Sequence, residues 1–304
     1  MTRYDREVRY GNSSSVTSLA LTTNSLSLTF PIHISQTFVN KYRVTSNDVA
    51  IKIMNGIQDG VAVVTGGGSG IGRQSSLRFA EEGAKVVVAD VDEDGGHETI
   101  EMIESDGGEA TFVRADVTDS DDVAAMVQTA LDEYGGLDFA HNNAGIADEG
   151  TRLAEYDEAE WDRMIDVNLK GVWRCLKAEI PEMIERGGGA IVNTSSVAGV
   201  SANGSAHYAA SKHGVIGLTR RATVDYADDG IRFNAVCPGV IDTPMVQQAG
   251  EDNSEELDRI TAGIPAGRLG DPREIADTVV WLCSEDASYV MGQPIIVDGG
   301  LLAQ

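Results

Sequence analysis

Cysteine, lysine and long apolar runs are scarce in this chain of 304 residues. The only cysteines, Cys175, Cys237 and Cys283, lie far apart and form no C-x-x-C pair. That spacing excludes a disulfide scaffold and a zinc ribbon or finger, and we expect no metal site. No apolar run reaches the roughly 18 residues of a membrane-spanning helix. With 42% hydrophobic residues, the chain can still bury a sizeable core.

Charge of one sign dominates, with 48 Asp and Glu against 23 Lys and Arg. A net charge of −25 argues against nucleic-acid binding, because phosphate contacts need a basic face. Residues 54–304 hold 45 acidic and 17 basic residues, a net of −28. An acidic surface with few lysines is typical of halophilic proteins, and we favour that interpretation over an ordinary acidic cytoplasmic protein. In both cases we expect a cytoplasmic location. The only lysines of this part are Lys85, Lys170, Lys177 and Lys212.

The first 53 residues differ from the rest, since they hold 6 basic and only 3 acidic residues. They are rich in Ser and Thr and show no sustained helical or strand period. They also lack the apolar block and cleavage site of a secretory signal. Our hypothesis is that Met54 is the biological start, and that residues 1–53 are a disordered or mis-called N-terminal extension.

From Met54 onward, apolar strands alternate with helical segments such as Ile71–Glu82 and Glu93–Ser105. This alternation predicts a parallel sheet covered on both faces, and right-handed crossovers make it a doubly wound, Rossmann-type α/β fold. No linker interrupts residues 54–304, so we expect a single domain there. The expected strands are Val61–Thr65, Lys85–Asp90, Ala110–Asp116, Leu137–His141, Ala190–Thr194, Ile231–Cys237 and Pro294–Val297.

Glycines cluster where the first expected strand meets the first helix. Glycine lets the backbone approach a pyrophosphate closely, and a helix N-terminus offers free N–H groups and a positive dipole end. A plain tight turn is the alternative, but the place between a strand and a helix favours a dinucleotide site. The segment reads Thr65-Gly66-Gly67-Gly68-Ser69-Gly70-Ile71-Gly72, and Gly66, Ser69, Gly70, Ile71 and Gly72 are its candidate cofactor contacts.

Asp90 ends the second expected strand, 18 residues after Gly72. A carboxylate at that place accepts hydrogen bonds from ribose hydroxyls and repels a 2′-phosphate. Position 69 is a serine and no basic residue directly follows Asp90. The sequence therefore favours NAD over NADP, the alternative being that Asp90 is one more solvated acid.

A tyrosine and a lysine follow at Y-x-x-x-K spacing, Tyr208 and Lys212. On a helix this spacing places both side chains on one face, where the ammonium group would lower the tyrosine pKa from about 10. Such a tyrosine suits general acid–base catalysis between an alcohol and a carbonyl. The pair alone is common by chance on protein surfaces, but Ser196, just after the strand Ala190–Thr194, brings a hydroxyl to the same region.

These motifs, in this order from Gly60 to Gly300, resemble the short-chain dehydrogenases/reductases. The resemblance implies a catalytic tetrad of Asn168, Ser196, Tyr208 and Lys212, with Ser195 left to packing. It places Asp116 and Val117 beside adenine, and it gives Tyr208 and Lys212 contacts with the cofactor as well. Further implied cofactor contacts are Asn143, Ala144 and Gly145 of the sequence Asn142-Asn143-Ala144-Gly145, and Pro238, Gly239, Ile241 and Thr243.

The same resemblance implies the division of chemical roles. Tyr208 exchanges the proton of the alcohol, and Ser196 hydrogen-bonds the substrate oxygen. Lys212 lowers the pKa of Tyr208 and holds the nicotinamide ribose, and Asn168 positions a water between Lys212 and solvent. We interpret His141 as a strand residue and expect His207 to line the substrate cleft without acting as a base.

The substrate is less determined, because in this family the segment after Pro238-Gly239, here Met245–Gly267, forms a variable lid. The best-supported function is NAD-dependent interconversion of a secondary alcohol or sugar hydroxyl and a carbonyl. A 3-oxoacyl-(acyl-carrier protein) reductase is the first alternative, although only Arg220, Arg221 and Arg268 offer a basic docking patch. A non-catalytic NAD-binding protein is the second alternative. The family implies a homotetramer with Gly292–Gln304 at an interface.

The acidic surface makes salt dependence the first test. We expect the melting temperature of the protein to be higher in molar KCl than in about 0.1 M KCl, because added salt screens repulsion between surface carboxylates. Thermal unfolding followed by circular dichroism measures this. A melting temperature that is unchanged or lower in molar KCl would contradict the halophilic interpretation.

Overall fold

A computed structural model describes residues 54–147, 150–252 and 254–304, together with five short strands among residues 8–52. Met1–Ile53 and Met54–Gln304 are separate compact units. In the first unit, Thr17–Thr23 pairs antiparallel with Leu26–Ile32 and with Val8–Arg9, and Tyr42–Val44 pairs with Ala50–Lys52. That residues 1–53 are a disordered or mis-called N-terminal extension stays a prediction.

The second unit is built on a seven-stranded sheet, and every strand pair in it is parallel. The strands are β1 Val61–Thr65, β2 Lys85–Asp90, β3 Glu109–Arg114, β4 Phe139–Asn142, β5 Gly189–Thr194, β6 Ile231–Pro238 and β7 Pro294–Val297. The strand order is β7-β6-β5-β4-β1-β2-β3, so the chain begins in the middle and winds outward in both directions. The doubly wound Rossmann-type fold expected from the sequence is therefore confirmed.

Helices cover both faces of this sheet. Within the described residues, none is both long and apolar enough to cross a bilayer. The helices are α1 Gly70–Glu81, α2 Glu93–Ser105, α3 Ser120–Tyr134, α4 Glu158–Ile165, α5 Val172–Arg186, α6 Ala206–Tyr226, α7 Pro244–Asp252, α8 Ser254–Ala262 and α9 Pro272–Cys283. A π-helical segment, Asp166–Gly171, joins α4 to α5, and a 3-10 turn, Val197–Gly199, follows β5.

The core has two halves because successive strand residues point to opposite faces. Val61 and Val63 of β1 join the half that contains Val123 of α3, Cys175 of α5 and Val215 of α6. The alternating Ala62 and Val64 join the half that contains Phe79 of α1, Ile103 of α2 and Ile275 of α9. Burial on both faces explains why the strands read as continuous apolar runs.

The expected element bounds agree closely with the observed ones. Val61–Thr65, Lys85–Asp90, Glu93–Ser105 and Pro294–Val297 are confirmed residue by residue. β3 differs, since it ends at Arg114 rather than at Asp116. The reason is a local turn in which the Asp116 carboxylate accepts hydrogen bonds from the backbone N–H and the hydroxyl of Thr118.

The turn between β1 and α1 is possible only with glycine. Gly66 and Gly70 have φ angles of +65° and +49°, in the left-handed region. At Gly72 the constraint is space, because a Cβ there would lie 1.9 Å from the carbonyl oxygen of Gly66. The first turn of α1 thus packs directly against the backbone of the loop.

We expect Gly72→Ala to lower the free energy of unfolding by about 1–3 kcal/mol, because the added methyl group forces loop and helix apart. Gly217→Ala is the matched control. Gly217 is exposed on α6, and a Cβ there meets nothing within 4 Å, so that variant should gain up to about 1 kcal/mol. Denaturant unfolding of both variants measures the difference; equal effects would contradict the close packing at Gly72.

Candidate functional site

A cleft of about 2110 Å³ opens at the carboxyl ends of the strands. Parallel doubly wound sheets bind ligands at this edge, where the strand order reverses, here between β1 and β4. All the residues proposed as catalytic or cofactor-binding line this cleft except Gly72 and Asn168, which lie behind its wall. The residues brought together are Gly66, Ser69, Gly70, Ile71, Asp90, Asp116, Val117, Asn143, Ala144, Gly145, Ser196, Tyr208, Lys212, Pro238, Gly239, Ile241 and Thr243.

The Asp90 carboxylate fixes the glycine loop. Asp90 receives the backbone N–H of Gly68 on Oδ2 at 2.8 Å, which ties the loop to the end of β2. Its Oδ1 accepts the backbone N–H of Asp92 at 3.0 Å. Each oxygen keeps a second lone pair for a further donor. The Asp90 carboxylate is thus held in place and still able to accept hydroxyl groups.

Arg73 is a contributor that the sequence reasoning missed. Its guanidinium donates to the carbonyl oxygens of Gly68 and Gly95 and forms an ion pair with Glu98 at 2.7 Å. It therefore fastens the outer side of the glycine loop to α2. Its position directly after Gly72 was visible in the sequence, but its partners on α2 were not.

Asp116 and Val117 form the next part of the wall, after β3. Two hydrogen bonds from Thr118, each 2.8 Å long, hold the pKa of the Asp116 carboxyl below its usual value. Asp116 is therefore a fixed, ionised group at the edge of the cleft. Gly171 packs behind Val117, where a Cβ would come within 2.9 Å of Val117 Cγ2.

Asn143 joins three strands beneath the middle of the cleft. Its Nδ2 donates to the carbonyl oxygen of Thr65 at 3.1 Å, and its backbone N–H donates to Thr65 Oγ1 at 2.9 Å. Thr194 Oγ1 donates to Asn143 Oδ1 at 3.3 Å. These contacts fix β1, β4 and β5 relative to one another at the cleft floor.

His141 lies below this group as a fully buried strand residue, in line with its sequence interpretation. Its Nε2 and Thr194 Oγ1 are 2.8 Å apart. Because the threonine hydroxyl donates to Asn143, His141 must carry its proton on Nε2. Burial lowers the pKa of His141 to about 3, so the ring is neutral and supports the floor without exchanging protons.

Asn168 lies in the π-helical segment and is fully buried. Its Oδ1 accepts the backbone N–H of Ile146 and its Nδ2 donates to the Ile146 carbonyl oxygen, both at 2.8 Å. A Cβ on Gly145 would lie 3.1 Å from Asn168 Oδ1 and 3.5 Å from Lys212 Nζ, so Gly145 separates the two side chains. The Asn168 side chain therefore braces the loop after β4, and its role toward a water stays a prediction.

Ser196 and Ser195 have different partners, as expected for neighbours at the end of a strand. Ser195 Oγ donates to the backbone carbonyl of Lys212 at 2.9 Å. Ser196 Oγ accepts the N–H of Ala198 at 3.1 Å and forms a hydrogen bond with the phenol of Tyr208. Ser196, not Ser195, is thus the hydroxyl that accompanies Tyr208.

Tyr208 and Lys212 project from the first turns of α6 into the cleft. The Lys212 Nζ lies 5.5 Å from the centre of the Tyr208 ring and donates to the carbonyl oxygen of Thr194 at 3.0 Å. Burial lowers the pKa of Lys212 to about 8. Burial also raises the pKa of Tyr208, and the hydrogen bond with Ser196 opposes this less strongly. The lowering of the Tyr208 pKa expected from Lys212 is therefore not seen in the chain alone.

His207 does not line the cleft, so that expectation was wrong. Its ring is fully buried and packs 4.2 Å, centre to centre, from the ring of Tyr156. Its Nδ1 accepts the backbone N–H of Tyr208 at 3.0 Å, which makes Nε2 the protonated nitrogen. His207 supports Tyr208 from behind.

The chain matches a family model described as Enoyl-(Acyl carrier protein) reductase over residues 66–302. It is 42% identical over 250 residues to a cyclohexanol dehydrogenase of Acinetobacter sp. (strain SE19), covering 82% of this chain and 97% of that protein. It is 45% identical over 244 residues to a cis-4-hydroxycyclohexanecarboxylate dehydrogenase of Sinomonas cyclohexanicum, covering 80% and 96%.

Reductases are similar as well. A 3-oxoacyl-[acyl-carrier-protein] reductase of Thermotoga maritima is 40% identical over 243 residues, covering 80% of this chain and 97% of that protein. The crystal structure of a variant of actinorhodin polyketide ketoreductase with NADPH superposes with a TM-score of 0.77 at 37% identity, covering 82% and 99%. The similar proteins include both dehydrogenases and reductases. The substrate and cofactor of this chain must therefore be inferred from the residues of its own cleft.

We expect Tyr208→Phe to lower kcat by about 10²–10⁴-fold, because it removes the hydroxyl that would exchange a proton with the substrate. Nucleotide affinity should be unchanged, since the ring remains. Tyr226→Phe, at the far end of the same helix, is the control and should keep full activity. Steady-state rates and nucleotide titration check both, and activity retained in Tyr208→Phe would contradict the assignment.

Proposed function

The chain belongs to the short-chain dehydrogenase/reductase family, and we propose that it interconverts a small secondary alcohol and its carbonyl compound with NAD. The observation that carries the proposal is the meeting of Ser196, Tyr208 and Lys212 in one cleft. A hydroxyl donor, a phenol and a buried ammonium group together can hold an alcohol oxygen and move its proton.

The residues present fit a nicotinamide dinucleotide. The glycine loop has no side chains at Gly66 and Gly68, so its backbone stays accessible to a ligand. A Cβ on Gly68 would meet the Asp90 carboxylate at 2.9 Å, and one on Gly66 would meet Asn143 at 3.0 Å. A pyrophosphate would lie against this loop and the start of α1. When bound, the nicotinamide supplies or accepts the hydride.

In oxidation, Tyr208 accepts the proton of the substrate hydroxyl, and in reduction it returns that proton. Ser196 donates a hydrogen bond to the same substrate oxygen and stabilises the charge that develops on it. Lys212 Nζ lies 5.5 Å from the ring centre, but burial keeps the pKa of Tyr208 above its usual value. Activity in the oxidative direction should therefore increase with pH as Tyr208 loses its proton.

Asp90 supports NAD rather than NADP. Its carboxylate is held at the end of β2 by the N–H groups of Gly68 and Asp92, where it would accept ribose hydroxyls and repel a 2′-phosphate. Arg73, the arginine directly after the glycine loop, already binds the backbone of the loop and Glu98, which leaves it less suited to binding a 2′-phosphate.

An alicyclic alcohol is the substrate class we favour. More of the cleft surface is apolar than polar, which suits a compact hydrocarbon ring better than a sugar. Two of the similar proteins are named for cyclohexane alcohols. The apolar lining residues are Ile146, Val197, Val240, Met245, Leu257 and Ile260.

The runner-up, reduction of a 3-oxoacyl group on a carrier protein, needs a basic surface for an acidic partner. The possible basic patch consists of Arg220, Arg221 and Arg268. Two of these arginines already form ion pairs, Arg221 with Asp225 and Arg268 with Glu274. The intact tetrad disfavours a non-catalytic NAD-binding protein.

We propose a cytoplasmic homotetramer whose subunits meet at β7 and its flanks, where Ile296 is exposed.

An absorbance assay of nucleotide reduction in molar KCl tests this function. Cyclohexanol, cis-4-hydroxycyclohexanecarboxylate, glucose and a linear secondary alcohol are each offered with NAD and NADP, and an acetoacetyl thioester is offered with the reduced nucleotides. We expect turnover of a cyclic alcohol with NAD. Turnover of the thioester alone, with NADPH, would contradict both the function and the cofactor.

We expect Asp90→Ala to lower kcat/KM for NAD by about 10-fold or more, because the loss of a charge-assisted hydrogen bond costs roughly 1.5–3 kcal/mol. It should also raise the ratio of NADP to NAD activity, since the negative charge is gone. Asp94→Ala, an exposed acid in the first turn of α2, is the control. Equal effects of the two variants would contradict the ribose contact.

A further inference from the structure

Four buried polar side chains connect α5 to α6 through the sheet. They are Glu179 of α5, Asn142 of β4, Asn193 of β5 and Thr219 of α6, none more than 2% exposed. Asn142 Nδ2 donates to Glu179 Oε2 and to Asn193 Oδ1, both at 3.0 Å. Asn193 Nδ2 then donates to Thr219 Oγ1, again at 3.0 Å. None of the four touches the cleft, yet each lies on an element that supports it.

This series of hydrogen bonds ends on α6, the helix that carries Tyr208 and Lys212. Thr219 follows Lys212 by seven residues, two turns along the same face of α6. Asn193 directly precedes Thr194, whose carbonyl oxygen accepts the Lys212 ammonium group at 3.0 Å. The position of α6 on β5 is thus set at two points, by Thr219 and by Lys212.

At the α5 end of this series of hydrogen bonds, two atoms have no hydrogen-bond partner among the described residues. They are Glu179 Oε1 and Asn142 Oδ1. They belong to the two side chains that are already joined by Asn142 Nδ2 and Glu179 Oε2. With Glu179 ionised, both atoms are buried acceptors without a donor, an arrangement that is costly. A proton on Oε1 supplies the missing donor, because a carboxylic acid and a primary amide can pair through two hydrogen bonds.

The surroundings of Glu179 also favour the un-ionised form. Among the described residues, the hydrogen-bond partner of Glu179 is the uncharged Asn142, which leads on to the uncharged Asn193 and Thr219. From α3, Met126, Val127 and Ala130 belong to the apolar core on this side of the sheet. On its own helix, Cys175 is a buried thiol, and Arg174 donates to Asp166 at 2.9 Å. Burial raises the pKa of Glu179 to about 7, and the hydrogen bond from Asn142 opposes this less strongly.

We propose that Glu179 is a positioning residue that carries a proton, pairs with both polar atoms of the Asn142 side chain, and so holds the catalytic helix on the sheet. Loss of that proton to solvent leaves a buried carboxylate beside an amide oxygen. The contact between α5 and β4 then weakens, and with it the support of α6.

Glu179→Gln tests this, because glutamine offers one N–H donor and one carbonyl acceptor and does not titrate. The folded-state pKa lies above the unfolded value of 4.5, so the wild type should lose stability relative to Glu179→Gln as pH rises from about 4.5 to about 7. The unfolding constants of the two proteins should diverge on the order of 100-fold over this range and then stay constant. Glu185→Gln, an exposed acid on the same helix, is the control.

Infrared difference spectra give a second test that needs no substrate. At about pH 6, where exposed carboxylates are ionised, the wild type should show the carbonyl stretch of one protonated carboxyl group, absent from Glu179→Gln. Stability curves of wild type and Glu179→Gln that stay parallel at every pH would overturn the proposal. If that variant did not fold, the wild type would decide alone: the band at about pH 6, lost on raising the pH, supports the proposal, and no such band overturns it.

A third test rests on the proposed function. The ratio of kcat in Glu179→Gln to kcat in the wild type should increase as pH passes about 7, whereas a purely structural role would change both proteins alike. A ratio that does not vary with pH would overturn the positioning role. An inactive enzyme would contradict the proposed function alone, because stability and infrared spectra still report the state of Glu179.

Discussion

A buried ammonium group in a strongly acidic protein is the constraint on which the site depends. Lys212 is only 4% exposed and loses most of its hydration, a cost that needs a compensating oxygen. The Thr194 carbonyl oxygen at 3.0 Å supplies it, so helix α6 and strand β5 must stay in register for the charge to persist. The other lysines of residues 54–304 remain at the surface, Lys85 near Glu109, Lys170 near Asp166 and Lys177 over Trp173.

The floor of the cleft keeps that register by a layer of neutral polar groups. Asn143, Thr194 and the neutral His141 join β1, β4 and β5 without placing another charge beside Lys212. Outside the cleft lining, the series of hydrogen bonds from Glu179 to Thr219 joins further buried polar side chains of the same strands. Uncharged hydrogen bonds therefore surround Lys212, whose ammonium group lies 5.5 Å from the centre of the Tyr208 ring.

Local signals made the strands, the glycine loop and the meeting of Ser196, Tyr208 and Lys212 in one cleft predictable. Buried β-branched runs mark β1 and β2, and the loop needs glycine because Gly72 packs against the Gly66 carbonyl. Contacts between distant segments carried no such signal. Arg73 reaches Glu98, and Glu179 reaches Asn142 across 37 residues, so their roles appear only when the helices pack. Burial likewise reverses the expected direction of the Tyr208 pKa, since periodicity does not reveal how deep the phenol lies.

Hydride transfer from an alcohol carbon to a nicotinamide is the central claim, and isotope transfer tests it most directly. Cyclohexanol with deuterium on its carbinol carbon is incubated with the protein and NAD in molar KCl, and the reduced nucleotide is analysed by mass spectrometry. Deuterium in the reduced nucleotide, formed together with cyclohexanone and absent with Tyr208→Phe, is the predicted result. Cyclohexanone formed without deuterium in the nucleotide, or no reaction of any deuterated secondary alcohol, would contradict it.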